Sequence, residues 1–258
     1  MTPLPLQRDV IYGPIKSKRL GLSLGINLLP TTQKVCSFDC IYCHYGKTNI
    51  KTLNPKDIQF PPTDLVLKRL EWYLKSDTEF HYITFSGNGE PLLYPNFDLI
   101  VKEIKKLRDQ YRPKIPIALL SNSSAIIRDK KIETLKLIDL PIFKLDAGDE
   151  ETFKEINRPV SEVKLAEIVN ALKVIAQEIR ITIQTVLLNG RIKNFAEEAL
   201  KRWFSLIQEI KPSLIQIYSV DRPVAEENVK MLDDRTLLSK AEEIERKTKI
   251  RTVAYLPR

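Results

Sequence analysis

Three cysteines, Cys36, Cys40 and Cys43, stand in the stretch KVCSFDCIYCHYG (34–46) with the spacing C-x3-C-x2-C, and the sequence holds no others. Thiols gathered this closely read as ligands, because thiolate is the soft donor that zinc and iron–sulfur clusters select. A structural zinc closes its shell with four protein ligands. Here the fourth could come only from His44, His81 or a carboxylate, and His44 directly follows Cys43. A four-iron four-sulfur cluster on three thiolates instead leaves one iron for an exchangeable ligand. Zinc, an electron-carrying cluster and a cluster with a reactive open iron are the three readings the spacing leaves.

The elements that must position this loop follow from the pattern of apolar residues. Short β-branched runs at 22–29, 81–87, 116–122, 142–147, 180–188 and 214–220 read as strands, with 251–256 as a further edge strand. Several are almost continuously apolar, as parallel strands covered on both faces are. Between them lie helical patterns. The stretch NFDLIVKEIKKLRDQY repeats Phe97, Ile100, Val101, Ile104 and Leu107 at helical period. SEVKLAEIVNALKVIAQE opens on Ser161, a side chain suited to an N-cap. Strand–helix alternation with one helix per crossover predicts a parallel α/β sheet. Six such units without a dinucleotide fingerprint favour a partial (β/α)6 barrel of the TIM type, with a C-terminal helix and short strand appended. One domain is expected, with residues 1–20 and 221–258 as extensions of a core spanning 21–220.

In such a sheet the ligand sits at the carboxyl ends of the strands. The cysteines follow the first strand there. The second ends in FSGNGEPLL, with Gly87, Asn88, Gly89 and Glu90; the third ends at Ser121 and Asn122. The fourth carries Lys144 and Asp146, alternate residues that share a face. Two ionisable groups on a buried face are either a mutual ion pair or functional. The fifth brings Gln184 and Asn189, the sixth Tyr218, Asp221 and Arg222, and Asn157, Arg158 and Pro159 lie beyond the fourth.

The cysteine spacing, with Tyr42 before the last thiol, resembles the signature of the radical S-adenosylmethionine (SAM) superfamily. The resemblance extends through YGPIKSKRLGLSLGIN, FSGNGEP, LDAGDEETFKEINRP and QIYSVDRP to a compact group related to wyosine-base synthases. It implies an enzyme with a four-iron four-sulfur cluster on Cys36, Cys40 and Cys43, whose open iron chelates SAM. An electron from the cluster would release a 5′-deoxyadenosyl radical that takes hydrogen from a substrate. By the same resemblance Asp39 and Ile41 only complete the spacing and Tyr42 meets adenine. Gly87, Asn88, Gly89 and Glu90 resemble the turn that meets the methionyl ammonium, and Ser121, Asn122, Asp146 and Gln184 are further cofactor contacts. Candidate catalytic residues are Lys144, Asp146, Arg158 and Tyr218. The partners expected are SAM, a flavodoxin- or ferredoxin-type electron donor, and tRNA or another RNA, with a small molecule or peptide as the rival substrate. The wyosine synthase is similar but needs a second cluster, and no cysteine of this sequence remains to bind one.

Composition sets looser bounds. The 258 residues are 43% hydrophobic and 29% charged, as a chain with a substantial core is. No apolar run is long enough to span a bilayer and no secretory signal opens the sequence, so a reducing cytoplasm is expected. The net charge of +8 suits an anionic partner, but equally a solvated lysine-rich surface.

Overall fold

The computed structural model describes residues 3–257. Its main sheet has eight strands, joined in chain order: β1 (Ile11–Ser17), β2 (Gly21–Ile26), β3 (Tyr82–Phe85), β4 (Ile117–Ser121), β5 (Leu140–Lys144), β6 (Thr182–Val186), β7 (Leu214–Tyr218) and β8 (Thr252–Tyr255). Strands β2 to β8 run parallel and β1 is antiparallel to β2. Strand order equal to chain order is what repeated right-handed crossovers in one direction give, and it curls the sheet into an open barrel.

Helices α1 (Thr63–Lys75), α2 (Phe97–Tyr111), α3 (Ile132–Leu135), α4 (Glu150–Asn157), α5 (Leu165–Glu178), α6 (Glu197–Ile210) and α7 (Asp234–Thr248) fill the crossovers. Each long helix turns one apolar stripe to the sheet. In α1 the buried residues are Val66, Leu70 and Leu74, four apart, and in α2 they include Phe97, Ile100, Val101 and Ile104. They join Leu24, Ile26, Ile83, Phe85, Ile183, Ile215 and Ile217 of the strands in one core. The alternate strand positions face the other way and carry polar pairs: Ser23 with Thr84 at 2.7 Å, and Gln184 with Gln216 at 3.0 Å. The concave face is therefore polar before any ligand is considered.

The partial barrel expected from the sequence is present, with α7 and β8 as the appended helix and strand. Two local expectations differ. Strand β1 was not legible: Gly13-Pro14 interrupts it at a register shift between Tyr12 and Ile15, and proline is tolerated only on such an edge. Ser161 does not cap α5, which begins at Leu165 with Lys164 as its N-cap residue. The first amides are satisfied by carboxylates instead: Lys164 N–H donates to Glu167 and Leu165 N–H to Glu150 on α4. Where a neighbouring helix supplies the acceptor, no serine is needed.

Candidate active site

The cysteine loop is welded to the barrel rather than draped over it. Val35 and Cys36 pair with Ile50 and Lys51 in a short parallel ribbon, and Phe38 packs edge-on against Phe153 of α4. Cys36 and Phe38 belong to the main core and Ile41 is buried beside Ile156, so a loop lying outside the core, as a metal loop might be pictured, is not what forms. Asp39 and Ile41 do more than complete a spacing. The Asp39 carboxylate accepts the Thr48 amide at 2.7 Å, and the Ile41 backbone bonds both α4 and the later segment at Glu226.

The Gly87–Glu90 turn locks onto the same loop. Val35 N–H donates to the Asn88 carbonyl at 3.0 Å, and Glu90 N–H to the Val35 carbonyl at 3.2 Å. Gly87 and Gly89 have φ of 122° and 145°, a region that L side chains avoid. A Cβ on Gly89 would stand 1.7 Å from the Val35 carbonyl oxygen, and one on Gly87 2.6 Å from Asn27 Oδ1. The glycines thus admit the protein's own backbone and the Asn27 side chain. Asn88 is buried, its amide group donating to the carbonyls of Gln7 and Pro30.

Glu90 is 1% exposed and bonds only neutral donors: the Leu92 amide at 3.0 Å, the Ser121 hydroxyl at 3.0 Å and the Asn122 amide at 2.6 Å. Burial pushes its carboxyl up to about 7, against the pull of those hydrogen bonds. The Asn122 side chain reaches on to Cys36, its Nδ2 lying 3.3 Å from the sulfur.

Across the barrel, Asp146 is buried with a full set of partners. Lys144 Nζ lies 2.8 Å from one oxygen, which also accepts the Val186 amide at 3.0 Å. The other oxygen accepts the Tyr42 hydroxyl and, at 2.9 Å, Asn157 Nδ2. Burial pulls the Lys144 ammonium down, but Asp146 and Tyr218 outweigh it and its pKa is raised. Lys144 donates to the Tyr218 hydroxyl at 3.1 Å and lies 4.7 and 5.1 Å from the ring centres of Tyr218 and Tyr42. Asn157 Nδ2 also reaches Cys40 sulfur at 3.5 Å. Its Oδ1, fully buried, has no hydrogen-bond partner.

Of the residues singled out by sequence, the structure brings together the cysteines, Tyr42, the Gly87–Glu90 turn, Ser121, Asn122, Lys144, Asp146 and Tyr218. Gln184 is spent on Gln216 inside the barrel. Arg158 and Asn189 lie to one side in a separate cavity, where Arg158 pairs with Glu226 at 2.7 Å. Asp221 and Arg222 line another. Three contributors were missed. Asn157 entered only as part of a loop, yet it touches Cys40, Tyr42 and Asp146. Asn194 holds the strand ends with Nδ2 bonds to the Asp146 and Val186 carbonyls. Lys34 is 2% exposed and donates to the Gly46 carbonyl at 2.6 Å, directly beside the cysteines. Its signal was readable: it stands two residues before Cys36 in an extended segment, on the same face.

The thiols and this lysine test which metal group fits. Burial pushes Cys36 up to about 12 and raises Cys40 as well, so both bind metal only by giving up a proton. Burial likewise pulls the Lys34 ammonium down, but cysteine anions beside it hold it above its ordinary value. An ammonium this deep needs negative charge next to it, and the thiolates of a metal–sulfur group provide that. Among the described residues, no three His, Cys, Asp or Glu side chains converge as on a single metal ion. Zinc, with Zn–S near 2.3 Å, would draw three sulfurs to within roughly 4 Å of one another. A cube that carries each thiolate on a different iron spaces them more widely. His44, the nearest substitute ligand, bonds the Pro223 carbonyl through Nδ1 at 3.3 Å. The donor set fits a cluster, and the orphaned Asn157 oxygen and the cation-free Glu90 fit a polar ligand beside it.

Comparison with known proteins agrees with this geometry. The model of the radical SAM superfamily matches residues 31–202. The chain belongs to the radical SAM superfamily. Among curated relatives, a UPF0026 protein of Methanocaldococcus jannaschii is 34% identical over 86% of this chain and 66% of its own length. A UPF0026 protein of Synechocystis is 31% identical over 83% and 76%. A Brachyspira hyodysenteriae protein named GTPase Obg is 32% identical, but this chain spans only 33% of it. Among solved structures, TYW1 with a lysine–pyruvate adduct superposes with a TM-score of 0.63 at 17% identity, over 88% of this chain and 75% of that one. SuiB of Streptococcus suis bound to S-adenosylmethionine gives 0.63 at 15%, over 86% and 48%. These structures establish the half-barrel, and the family establishes a radical SAM enzyme. Among the described residues no helix is long and apolar enough to cross a membrane.

Proposed function

We propose that Cys36, Cys40 and Cys43 hold a four-iron four-sulfur cluster, that SAM binds beside it against the Gly87–Glu90 turn, and that the reaction is hydrogen abstraction from an organic substrate. The observation that carries this is a loop of three thiols with a buried lysine and two asparagine amides turned to its sulfurs, and no fourth ligand converging on them among the described residues. When bound, the cluster and SAM together supply one-electron cleavage of a sulfonium and, through it, abstraction of a hydrogen atom.

The chain's own residues do the rest. Lys34 offsets thiolate charge, while Asn122 and Asn157 donate N–H···S hydrogen bonds that favour the more negative, reduced state. Glu90 offers its carboxylate to the methionyl ammonium, the cation it otherwise lacks, and Asn157 Oδ1 offers an acceptor to a hydroxyl or amine of the ligand. Lys144 is fixed, charged and shared between Asp146 and Tyr218. A protonated amine cannot condense with a carbonyl, so we assign it the task of orienting an anionic or carbonyl oxygen of the substrate. The lysine–pyruvate adduct is a property of TYW1.

For the substrate class we favour an RNA base over a small molecule or peptide. Supporting it are the net charge of +8 and a distant similarity, 22% over 74% of this chain, to the Oryza sativa tRNA 4-demethylwyosine synthase. A flavodoxin- or ferredoxin-type donor and a cytoplasmic setting complete the reading.

The test is anaerobic purification followed by iron, sulfide and zinc analysis, then turnover with SAM and a chemical reductant, run in parallel on deuterated cellular RNA and on a deuterated small-metabolite extract. Cluster-level iron and sulfide, with deuterium entering 5′-deoxyadenosine, are expected. Zinc without sulfide sinks the cluster. Label arriving only from small metabolites sinks the RNA reading. Cys40→Ala is expected to reduce iron and sulfide to background, and a variant that keeps both overturns the ligand assignment.

A further inference from the structure

The two edges of the half-barrel come together beside Tyr218. Strand β1 and its turn into β2 bring Lys18 and Arg19 there, the segment after β7 brings Asp221 and Arg222, and these residues line one cavity of about 160 Å³ with Tyr218 and His44 in its wall. The cavity is built for negative charge. Lys16, Lys18, Arg19 and Arg222 all line it, against Asp221 as its one acid.

That acid is already spent. Asp221 lies 2.5 Å from Lys18 Nζ, and Lys18 also donates to the Leu256 carbonyl at 2.6 Å, so this pair latches the turn before β2 to the far edge. Among the described residues the ion pair of Asp221 is with Lys18, and Arg222 acts on that carboxylate only at longer range. Arg19 instead lies 4.9 Å from the centre of the Tyr218 ring, and Arg222 is exposed. With Asp221 already paired to Lys18, the one described acid of this cavity does not balance both guanidinium groups, and an anion placed between them would be held by each. Their planar forks match the oxygens of a phosphate in pairs.

The cavity also adjoins the reaction site. Tyr218 is the common wall: its ring carries Arg19 on one account and Lys144 at 4.7 Å on another, and its hydroxyl accepts from Lys144. A group anchored here is one aromatic ring away from the buried Lys144–Asp146 pair. The basic surface around Arg191, Lys193 and Lys230 does not have Tyr218 in its lining.

We propose that Arg19 and Arg222 form an anion subsite that grips a phosphate group of the substrate and so fixes how far the reacting carbon enters the barrel. This rests on the enzyme reading above for the word substrate, but phosphate binding itself does not require turnover. The two can therefore fail separately.

The test is calorimetric titration of the anaerobically prepared holoprotein with inorganic phosphate and, in parallel, with acetate at low ionic strength. Phosphate is expected to bind saturably, and acetate at least about tenfold more weakly, since phosphate brings more charge and more acceptor oxygens to the two forks. Arg19→Ala and Arg222→Ala should each weaken phosphate about tenfold, and the double variant should abolish binding. Arg19→Lys, which keeps the charge and loses the fork, should fall between, and Lys193→Ala should bind as the unaltered protein does. Arg222 is exposed, so its variant reports even if loss of the Arg19–Tyr218 contact disturbs folding. No saturable phosphate binding, an unchanged affinity in the double variant, or acetate bound as tightly as phosphate each overturns the proposal.

Discussion

Two buried carboxylates face the cysteine loop from opposite sides, and each reaches a sulfur through an asparagine. Glu90 accepts from Asn122, whose side chain reaches Cys36; Asp146 accepts from Asn157, whose side chain reaches Cys40. Their environments differ in one respect that decides their chemistry. Asp146 has a cation, Lys144, at 2.8 Å, whereas Glu90 has only neutral donors. A paired carboxylate is a finished structural unit. An unpaired one is a group whose charge is stabilised only when a ligand brings the missing cation. The carboxylate on one side is neutralised within the protein, and the one on the other is neutralised by what binds.

The largest test of that contrast is Lys144→Met. It strands Asp146 without its cation and should cost about 3–5 kcal/mol in denaturant unfolding. The double variant Lys144→Met with Asp146→Asn should recover part of the loss, and equal losses in both would show that the pair is not a unit.

Next comes Glu90. Its carboxyl rises from an ordinary 4.5 to about 7 in the folded state, so folding favours the protonated form. That contribution is full below pH 4.5, fades as pH climbs through 7 and is absent above it. In ligand-free protein this one group should remove about 3 kcal/mol of stability over that window. Glu90→Gln should flatten this decline, and a pH profile of unfolding identical to that of the unaltered protein would refute it. Saturating SAM should flatten it too.

A smaller effect belongs to the asparagines. Asn122→Ala should shift the cluster's midpoint potential downward by on the order of 20–60 mV, the equivalent of one hydrogen bond. Asn157→Ala should shift it less, because that amide is longer and shared with Asp146. Redox titration followed by electron paramagnetic resonance separates them, and an upward shift would show that the amides do not act on sulfur. Smallest is Arg158→Ala: its pairing with Glu226 is solvent-screened and should change stability by less than about 1 kcal/mol.

What the sequence disclosed follows the same division. Strands β2 to β7 were legible because parallel strands buried on both faces need apolar runs, and the cysteines because their spacing is a chemical statement. Strand β1 was hidden by its Gly-Pro and half-exposed residues. The pairing of Lys144 with Asp146 was one of two readings, chosen only once distances existed. The role of Asn157 could not be read at all, because it joins Asp146, eleven positions back, to Cys40 and Tyr42, more than a hundred positions away, and an asparagine closing a short helix ordinarily signals nothing more than a turn. Ser161 misled for the opposite reason: a good local cap was displaced by Glu150 from a neighbouring helix.

The hydrogen bonds on both sides of Val35 make the thiol loop and the Gly87–Glu90 turn a single rigid plate. On the reading proposed above, the spacing between cluster and cofactor is set by these bonds in the first half of the chain, with α4 bracing the loop from behind. On the same reading, a chimera that grafts the residues beyond β6 from a relative, leaving Asp146, Asn157 and α4 in place, should inherit that relative's preference while keeping this protein's rate of uncoupled cofactor cleavage.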